Sequence, residues 1–337
     1  LGAYSVSAWA EPIGALGTIE WETWFKHNPY AEWYYNTIRI EGSPAQEHHR
    51  EAYGDMPYDG LLDLWQAEKF DPTDWAALFR DAGAGYVIPT TKHHEGITLW
   101  DAPRTDGRNT VARSPRRDLI APIADAVREV GMHFGVYYSG GLDWYVRPMP
   151  PHTTDESVHE TGRPKDAEYG DTHSDHLTSE YSHQLANEGA KAWENCRGIG
   201  YSFGYNQLED ERHYLTGYQI ARMLTDIVSR GGHFLLNVGP KADGTLPELQ
   251  RQALVDLGAW MRTGAKDALY RSRPTNTEDV QPGAGVWVRG VEKDGTRRLF
   301  VDLDEADPKL AATATLTVGG ERVTVELPAG RPGPVIY

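Results

Sequence analysis

Three stretches of the chain repeat one order of polar and apolar positions. In the first, Asp71-Pro72-Thr73-Asp74 opens a helix: Asp71 can cap it, Pro72 takes the first helical position, and Asp74 faces the positive end of the helix dipole. Trp75, Leu78, Phe79 and Ala82 then fall at i, i+3, i+4 and i+7 and form one buried stripe. Gly83 ends the helix, and Tyr86-Val87-Ile88 reads as a short strand before the polar cluster Thr90-Thr91-Lys92-His93-His94. The second copy predicts a helix over 119–130, with Leu119, Ile123, Val127 and Val130 on one face, then Gly131 and a strand over 134–138. The third places Ile220, Met223, Leu224, Ile227 and Val228 on one helical face, followed by Gly231-Gly232 and the strand Phe234-Leu235-Leu236-Asn237-Val238.

Helix, glycine, short apolar strand and polar cluster is the order expected of a parallel sheet covered by helices. In such sheets and barrels the active site forms just beyond the strand ends. Position alone therefore nominates His93, His94, Tyr138, Ser139, Asp143 and Asn237. After Leu246 a further helix carries Leu254, Leu257, Trp260 and Met261 on one face. From about Ser272 the texture changes to alternating and β-branched runs, among them Val286-Trp287-Val288, Arg298-Leu299-Phe300-Val301 and Val323-Thr324-Val325-Glu326, with glycine-rich turns between. This predicts a small antiparallel β domain with no catalytic pattern. The Pro-rich, charged stretch 148–171 reads as a long loop.

Composition narrows the function. At 337 residues the chain has room for one barrel-sized domain and a minor one. A single cysteine, Cys196, excludes an intrachain disulfide framework and a CxxC metal site, and slightly favours a cytoplasmic setting. With 49 acidic against 33 basic residues, the formal charge of -16 argues against nucleic acid as a partner. No apolar run approaches the ~18 residues of a membrane span, so no membrane partner is expected. Leu1-Gly2-Ala3-Tyr4-Ser5 does not read as a signal peptide, and the expectation is a soluble protein of unassigned compartment and oligomeric state. Aromatic residues make up 11% of the chain, enough either for sugar stacking or simply for a large core.

Four clusters could carry chemistry. His93-His94 at a strand end suits hydroxyl binding or metal ligation, or equally a hydrogen-bonded core pair; the strand mouth favours function. Asp171-Thr172-His173-Ser174-Asp175-His176 has metal-ligand composition and would suit a metal-dependent hydrolase, but without a recognised spacing it reads as a solvated loop, and no metal or cofactor is expected. Glu180, in Thr178-Ser179-Glu180-Tyr181, is a general acid or a surface glutamate, the latter favoured by composition. Glu32-Trp33-Tyr34-Tyr35 sets a hydroxyl acceptor beside stacking faces, or is an amphipathic segment.

Taken together, seven segments resemble the α-L-fucosidases of glycoside hydrolase family 29, in the family's order. They are Glu32-Trp33-Tyr34; Pro89-Thr90-Thr91-Lys92-His93-His94-Glu95-Gly96; Gly135-Val136-Tyr137-Tyr138-Ser139-Gly140-Gly141-Leu142-Asp143-Trp144; Thr178-Ser179-Glu180-Tyr181; Trp193-Glu194-Asn195; Tyr201-Ser202-Phe203-Gly204-Tyr205-Asn206; and Leu235-Leu236-Asn237-Val238-Gly239-Pro240. The resemblance implies an α/β fold, a (β/α)8-like TIM barrel over 1–271 followed by a small antiparallel β-sandwich over 272–337. It implies a retaining, exo-acting hydrolase releasing terminal α-L-fucose from a fucosylated oligosaccharide or glycoside, without a cofactor. By position Glu180 resembles the acid/base, reversing the bland reading; Glu32, Trp33, His93 and His94 resemble fucose-binding residues, Tyr138 (less closely Tyr137) lies near the nucleophile, and Phe203 packs on the sugar's methyl side.

The chain departs from the family at two places. The family's first strand ends in His-Trp-Gly, which has no counterpart in the chain, and its nucleophile lies on a strand ending in Trp-x-Asp, placed between Trp144 and Thr178. None of the eleven tryptophans is followed two positions later by aspartate. Asp143 and Asp171 are stand-ins by residue type only. The alternative expectation is accordingly a fucose-binding pseudo-glycosidase that keeps the pocket and lacks the nucleophile.

Overall fold

The computed structural model describes residues 1–14, 18–140, 143–146, 177–181 and 192–337. Helix α1 (Pro72–Asp81) begins where Asp71 Oδ1 accepts hydrogen bonds from the backbone N–H groups of Thr73 (2.9 Å) and Asp74 (3.1 Å). Two of the four N–H groups that a helix start leaves open are thus satisfied. Trp75, Ala76 and Leu78 are buried on one face, and Gly83, at φ +98°, turns the chain toward the sheet. Asp71→Ala is expected to cost about 1 kcal/mol, measured as a lower denaturant midpoint; an unchanged midpoint would show that the cap contributes nothing. Helix α2 (Ile120–Glu129) starts on Asp118, whose Oδ1 accepts from Ile120 and Ala121, and α3 (Gly217–Ser229) on a capping box between Thr216 and Gln219.

Each helix returns the chain to a parallel strand. β1 (Tyr86–Val87) and β2 (Thr90–Lys92) pair with β3 (His133–Phe134) and β4 (Tyr137–Tyr138), while β5 (Leu177–Glu180), β6 (Trp193–Gly198) and β7 (Gly232–Asn237) form a three-stranded sheet in that order. The strand expected at 86–88 runs on to Lys92 with a break at Ile88-Pro89, because Pro89 has no N–H to give the ladder. Its partner breaks at Gly135-Val136. Helix α4 (Glu248–Trp260) buries Leu254, Leu257 and Trp260 in one core with α1, α2 and α3. A second core, around Tyr34, Leu61, Leu62, Trp65, Ile97 and Leu119, fixes the N-terminal segment over the C-terminal ends of the strands.

The C-terminal strands β8 (Arg273–Pro274), β9 (Val280–Pro282), β10 (Val286–Lys293), β11 (Thr296–Leu303), β12 (Ala312–Val318), β13 (Glu321–Leu327) and β14 (Val335–Ile336) form two antiparallel sheets, ordered β14-β11-β10-β8 and β13-β12-β9. Asp294-Gly295 and Gly319-Gly320 supply positive φ at the tight turns joining β10 to β11 and β12 to β13. Val286, Leu299, Val301, Ala314, Leu316 and Leu327 fill the space between the sheets. Trp287, Val291 and Phe300 belong instead to the core of α1–α4, so the two parts share buried surface. Among the described residues no helix is long and apolar enough to cross a membrane.

Candidate active site

A cavity of about 930 Å³ runs along the parallel strands, from Gly85, His133 and Gly232 at their N-terminal ends to His93, Glu180 and Asn237 just past or at their C-terminal ends. Its wall is mostly apolar; Glu32, His93, His94, Glu180 and Asn237 face it at the C-terminal ends of the strands, and His133, His233, Lys266 and Arg271 at the opposite end.

β2 stops at Lys92, which frees the next two residues from strict alternation. The His93 and His94 rings lie 4.0 Å apart at 41° and both reach the cavity. Burial, and then neighbouring positive charge, lowers His93 to about 3 and His94 well below the usual imidazole range. Both are neutral near pH 7, and each offers one N–H and one lone pair. His94 Nδ1 is 2.5 Å from Ser139 Oγ. Lys92 Nζ donates to Ser139 O (2.8 Å) and pairs with Asp143 Oδ2 (3.0 Å). Ser139 and Asp143 therefore support the histidines and do not line the cavity, and Asp143 is committed to a cation.

Glu32 sits in a single 3-10 turn, Ala31–Trp33, and is buried. Its Oε2 accepts from Gly204 N (2.7 Å) and Ser202 Oγ (3.1 Å), while burial raises it to about 7 against the pull of those bonds. Trp33 stands edge-on to His94 (5.8 Å) and Trp144 (5.0 Å), giving the cavity an aromatic side. Phe203 meets Tyr30 edge-on at 5.4 Å, and its carbonyl accepts from Asn237 Nδ2 at 2.6 Å.

Glu180 is the last residue of β5, in register with Cys196 of β6. Its side chain is solvent-accessible and lines the cavity. The protein atoms crowded round its carboxyl, and then the charge of Glu32, raise it to about 7. Water also reaches the side chain and screens part of both effects. Glu32 and Glu180 are the carboxylates on the cavity wall among the described residues.

The structure brings Glu32, Trp33, His93, His94, Glu180, Phe203 and Asn237 together and leaves Tyr138 out. Neighbouring strand residues face opposite ways, and Tyr137 takes the cavity side. Tyr138 is exposed, with Lys92 Nζ 5.2 Å from its ring centre. Asp171, His173, Asp175 and His176 lie outside the described residues. Sequence reasoning missed Tyr30, a buried cavity residue whose hydroxyl has no hydrogen-bond partner among the described residues. The dense aromatic run Trp24, Phe25, Tyr30 and Trp33 was the signal for it. It also passed over Glu95, buried and raised to about 7 by desolvation, whose Oε2 is 3.3 Å from His93 Nδ1.

An accessible carboxyl poised near neutrality, a second carboxylate held by two donors, two neutral imidazoles and several aromatic faces suit proton transfer to a polyhydroxylated ring. The comparisons with known proteins point the same way. The family described as alpha-L-fucosidase matches residues 1–187 and 161–266. The alpha-L-fucosidase of Dictyostelium discoideum is 26% identical over 339 residues, covering 82% of this chain and 73% of that protein. An alpha-L-fucosynthase of Thermotoga maritima, in complex with alpha-L-Fuc-(1-2)-beta-L-Fuc-N3, superposes with a TM-score of 0.79 at 39% identity, over 89% of this chain and 79% of that one. The Thermotoga maritima alpha-fucosidase in complex with fucose gives a TM-score of 0.77 at 38% identity over the same shares. With motifs, site and fold in agreement, the chain belongs to the α-L-fucosidase family and has its TIM-barrel plus β-sandwich architecture.

Proposed function

We propose that this protein is an exo-acting, retaining α-L-fucosidase that removes terminal α-L-fucose from glycans or glycosides, with Glu180 as acid/base. The observation that carries the reading is Glu180 itself, at a strand end, on the cavity wall, with its carboxyl raised to about 7. The relatives support the substrate, since a similar Thermotoga maritima enzyme is known in complex with fucose. In the first step Glu180 protonates the leaving glycosidic oxygen while a second carboxylate attacks the anomeric carbon; in the second it takes a proton from the water that displaces this carboxylate and releases fucose. Glu32, His93 and His94 accept from and donate to the sugar hydroxyls, and Trp33 and Phe203 cover its apolar faces. Residues 1–271 form the catalytic domain and 272–337 the sandwich that braces it.

The acid form of Glu180 must be present for the first step. Its raised pKa keeps that form populated up to about pH 7, so kcat/KM falls as pH rises through that value. Because Glu32 and Glu180 interact, the limb belongs to the pair. A pH–rate profile on an aryl α-L-fucoside checks this: a flat profile from pH 6 to 9 would remove Glu180 from the acid role.

The second reading is a protein that binds fucose without turning it over. It is favoured by one observation: among the described residues the carboxylate on the cavity wall besides Glu180 is Glu32, which is held by Gly204 N and Ser202 Oγ, and retention needs a nucleophilic carboxyl about 5–5.5 Å from the acid/base. A fluorinated fucosyl donor that traps the covalent intermediate separates the two. Attachment to an acidic residue of the segment 147–176, located by peptide mass, supports hydrolysis; binding without attachment supports the second reading.

A further inference from the structure

Two buried carboxylates meet across one turn of the chain. Residues 199–206 follow β6 without regular structure and carry Phe203 to the cavity. On the cavity side Glu32 Oε2 accepts from Gly204 N and Ser202 Oγ. On the far side Glu209 Oε1 accepts from the backbone N–H groups of Tyr201 (3.0 Å) and Ser202 (2.9 Å). Ser202 joins the two: its N–H goes to Glu209, while its Oγ donates to Glu32 and accepts from Ala31 N at 2.8 Å.

Glu209 is 8% exposed and does not line the cavity. Burial, with a further contribution from Glu32, raises it to about 8 although both backbone bonds oppose the rise. The chain is shaped to admit it. A Cβ on Gly200 would stand 2.0 Å from Glu209 Oε2, so only glycine leaves room for the carboxyl. Burying a carboxyl group is costly unless it is hydrogen-bonded or paired. Here they hold two N–H groups of an irregular turn that would otherwise lack a fixed acceptor.

We infer that Glu209 is a positioning residue of the sugar site: it holds the 200–204 turn from behind, and so fixes the donors that orient Glu32 and the place of the Phe203 ring. The inference rests on the reading of Glu32 as a sugar-binding group. It assigns Glu209 no contact with substrate.

The test measures inhibition by L-fucose, together with KM and kcat on an aryl α-L-fucoside, for Glu209→Ala, Glu209→Gln and Glu32→Gln. Glu209→Ala is expected to raise the fucose inhibition constant and KM about tenfold while kcat changes less than about threefold. Glu209→Gln keeps one acceptor oxygen and should return both constants to within about threefold of wild type. If Glu32→Gln leaves the inhibition constant unchanged, the reading of Glu32 fails, and the inference with it. If Glu32→Gln weakens fucose binding but Glu209→Ala does not, the positioning role of Glu209 alone is overturned. Should Glu209→Ala not fold, Glu209→Asp decides, since its shorter side chain draws the acceptor away from the N–H groups of Tyr201 and Ser202: weaker fucose inhibition with kcat within about threefold of wild type supports the inference, and an unchanged inhibition constant overturns it.

Discussion

Glu180→Gln lowers kcat/KM for fucosides with poor leaving groups by about 10²–10⁴-fold, the range that general acid–base catalysis contributes. Glutamine preserves the shape of the side chain at the end of β5, but its amide N–H groups are not acidic enough to transfer a proton. The deficit should depend on the leaving group. An aryl group that departs readily as its anion needs little protonation, so its release suffers least, and the slow step becomes attack by water that no base deprotonates. Azide, which needs no base, should then restore turnover. Comparing a series of aryl α-L-fucosides with and without azide checks both points. A uniform loss, or none, would place Glu180 outside the proton transfers.

Trp260→Ala produces the largest expected loss of stability. Trp260 ends α4, is 1% exposed, and belongs to the core that α1–α4 share with Trp287, Val291 and Phe300. Its Nε1 donates to Pro334 O at 2.9 Å, and its ring lies 6.0 Å from that of Phe300. Truncation removes one of the tryptophans at this junction, leaves a cavity and strips Pro334 O of its donor. Such changes cost about 3–5 kcal/mol. Trp260→Phe refills part of the space and should cost less, about 1–2 kcal/mol. Trp260 is not on the cavity wall, so kcat measured well below the unfolding midpoint should stay near that of the parent chain. A thermal melt that does not move for Trp260→Ala would mean that the sandwich and the helical layer do not stabilise one another.

Local chemistry explains which parts of the fold could be read early. Asp71-Pro72 and the stripe Trp75, Leu78 and Phe79 specify a helix with no help from elsewhere, and α1 starts where they say. The glycines at 83, 131 and 231 all adopt the positive φ that a helix stop requires. The strand breaks were harder to see, although Pro89 announces one of them by lacking an N–H. The choice between Tyr137 and Tyr138 depends on which edge of β4 faces the cavity, and two adjacent tyrosines carry no pattern that reveals it.

The site was legible where the residue type itself is informative. His93-His94 and Glu32-Trp33 are unusual as local sequence, and both pairs reach the cavity. Glu180 looked like a surface glutamate, and only the resemblance and then the position of β5 gave it a role. Glu209 was invisible because its burial comes from Tyr201 and Ser202 folding back on it, a contact across an irregular turn with no periodicity to betray it. Tyr30 was equally hidden, since its surroundings come from Trp24, Tyr181 and Phe203, brought together by the fold.

The most direct measurement is a time course of an aryl α-L-fucoside hydrolysed by the wild-type protein, followed by proton NMR so that the anomer of the first free fucose is seen before it equilibrates. Two successive displacements at the anomeric carbon predict release of L-fucose with the α-anomer formed first. Appearance of the β-anomer first, or binding of the fucoside with no release of fucose, would contradict retaining hydrolysis at this cavity.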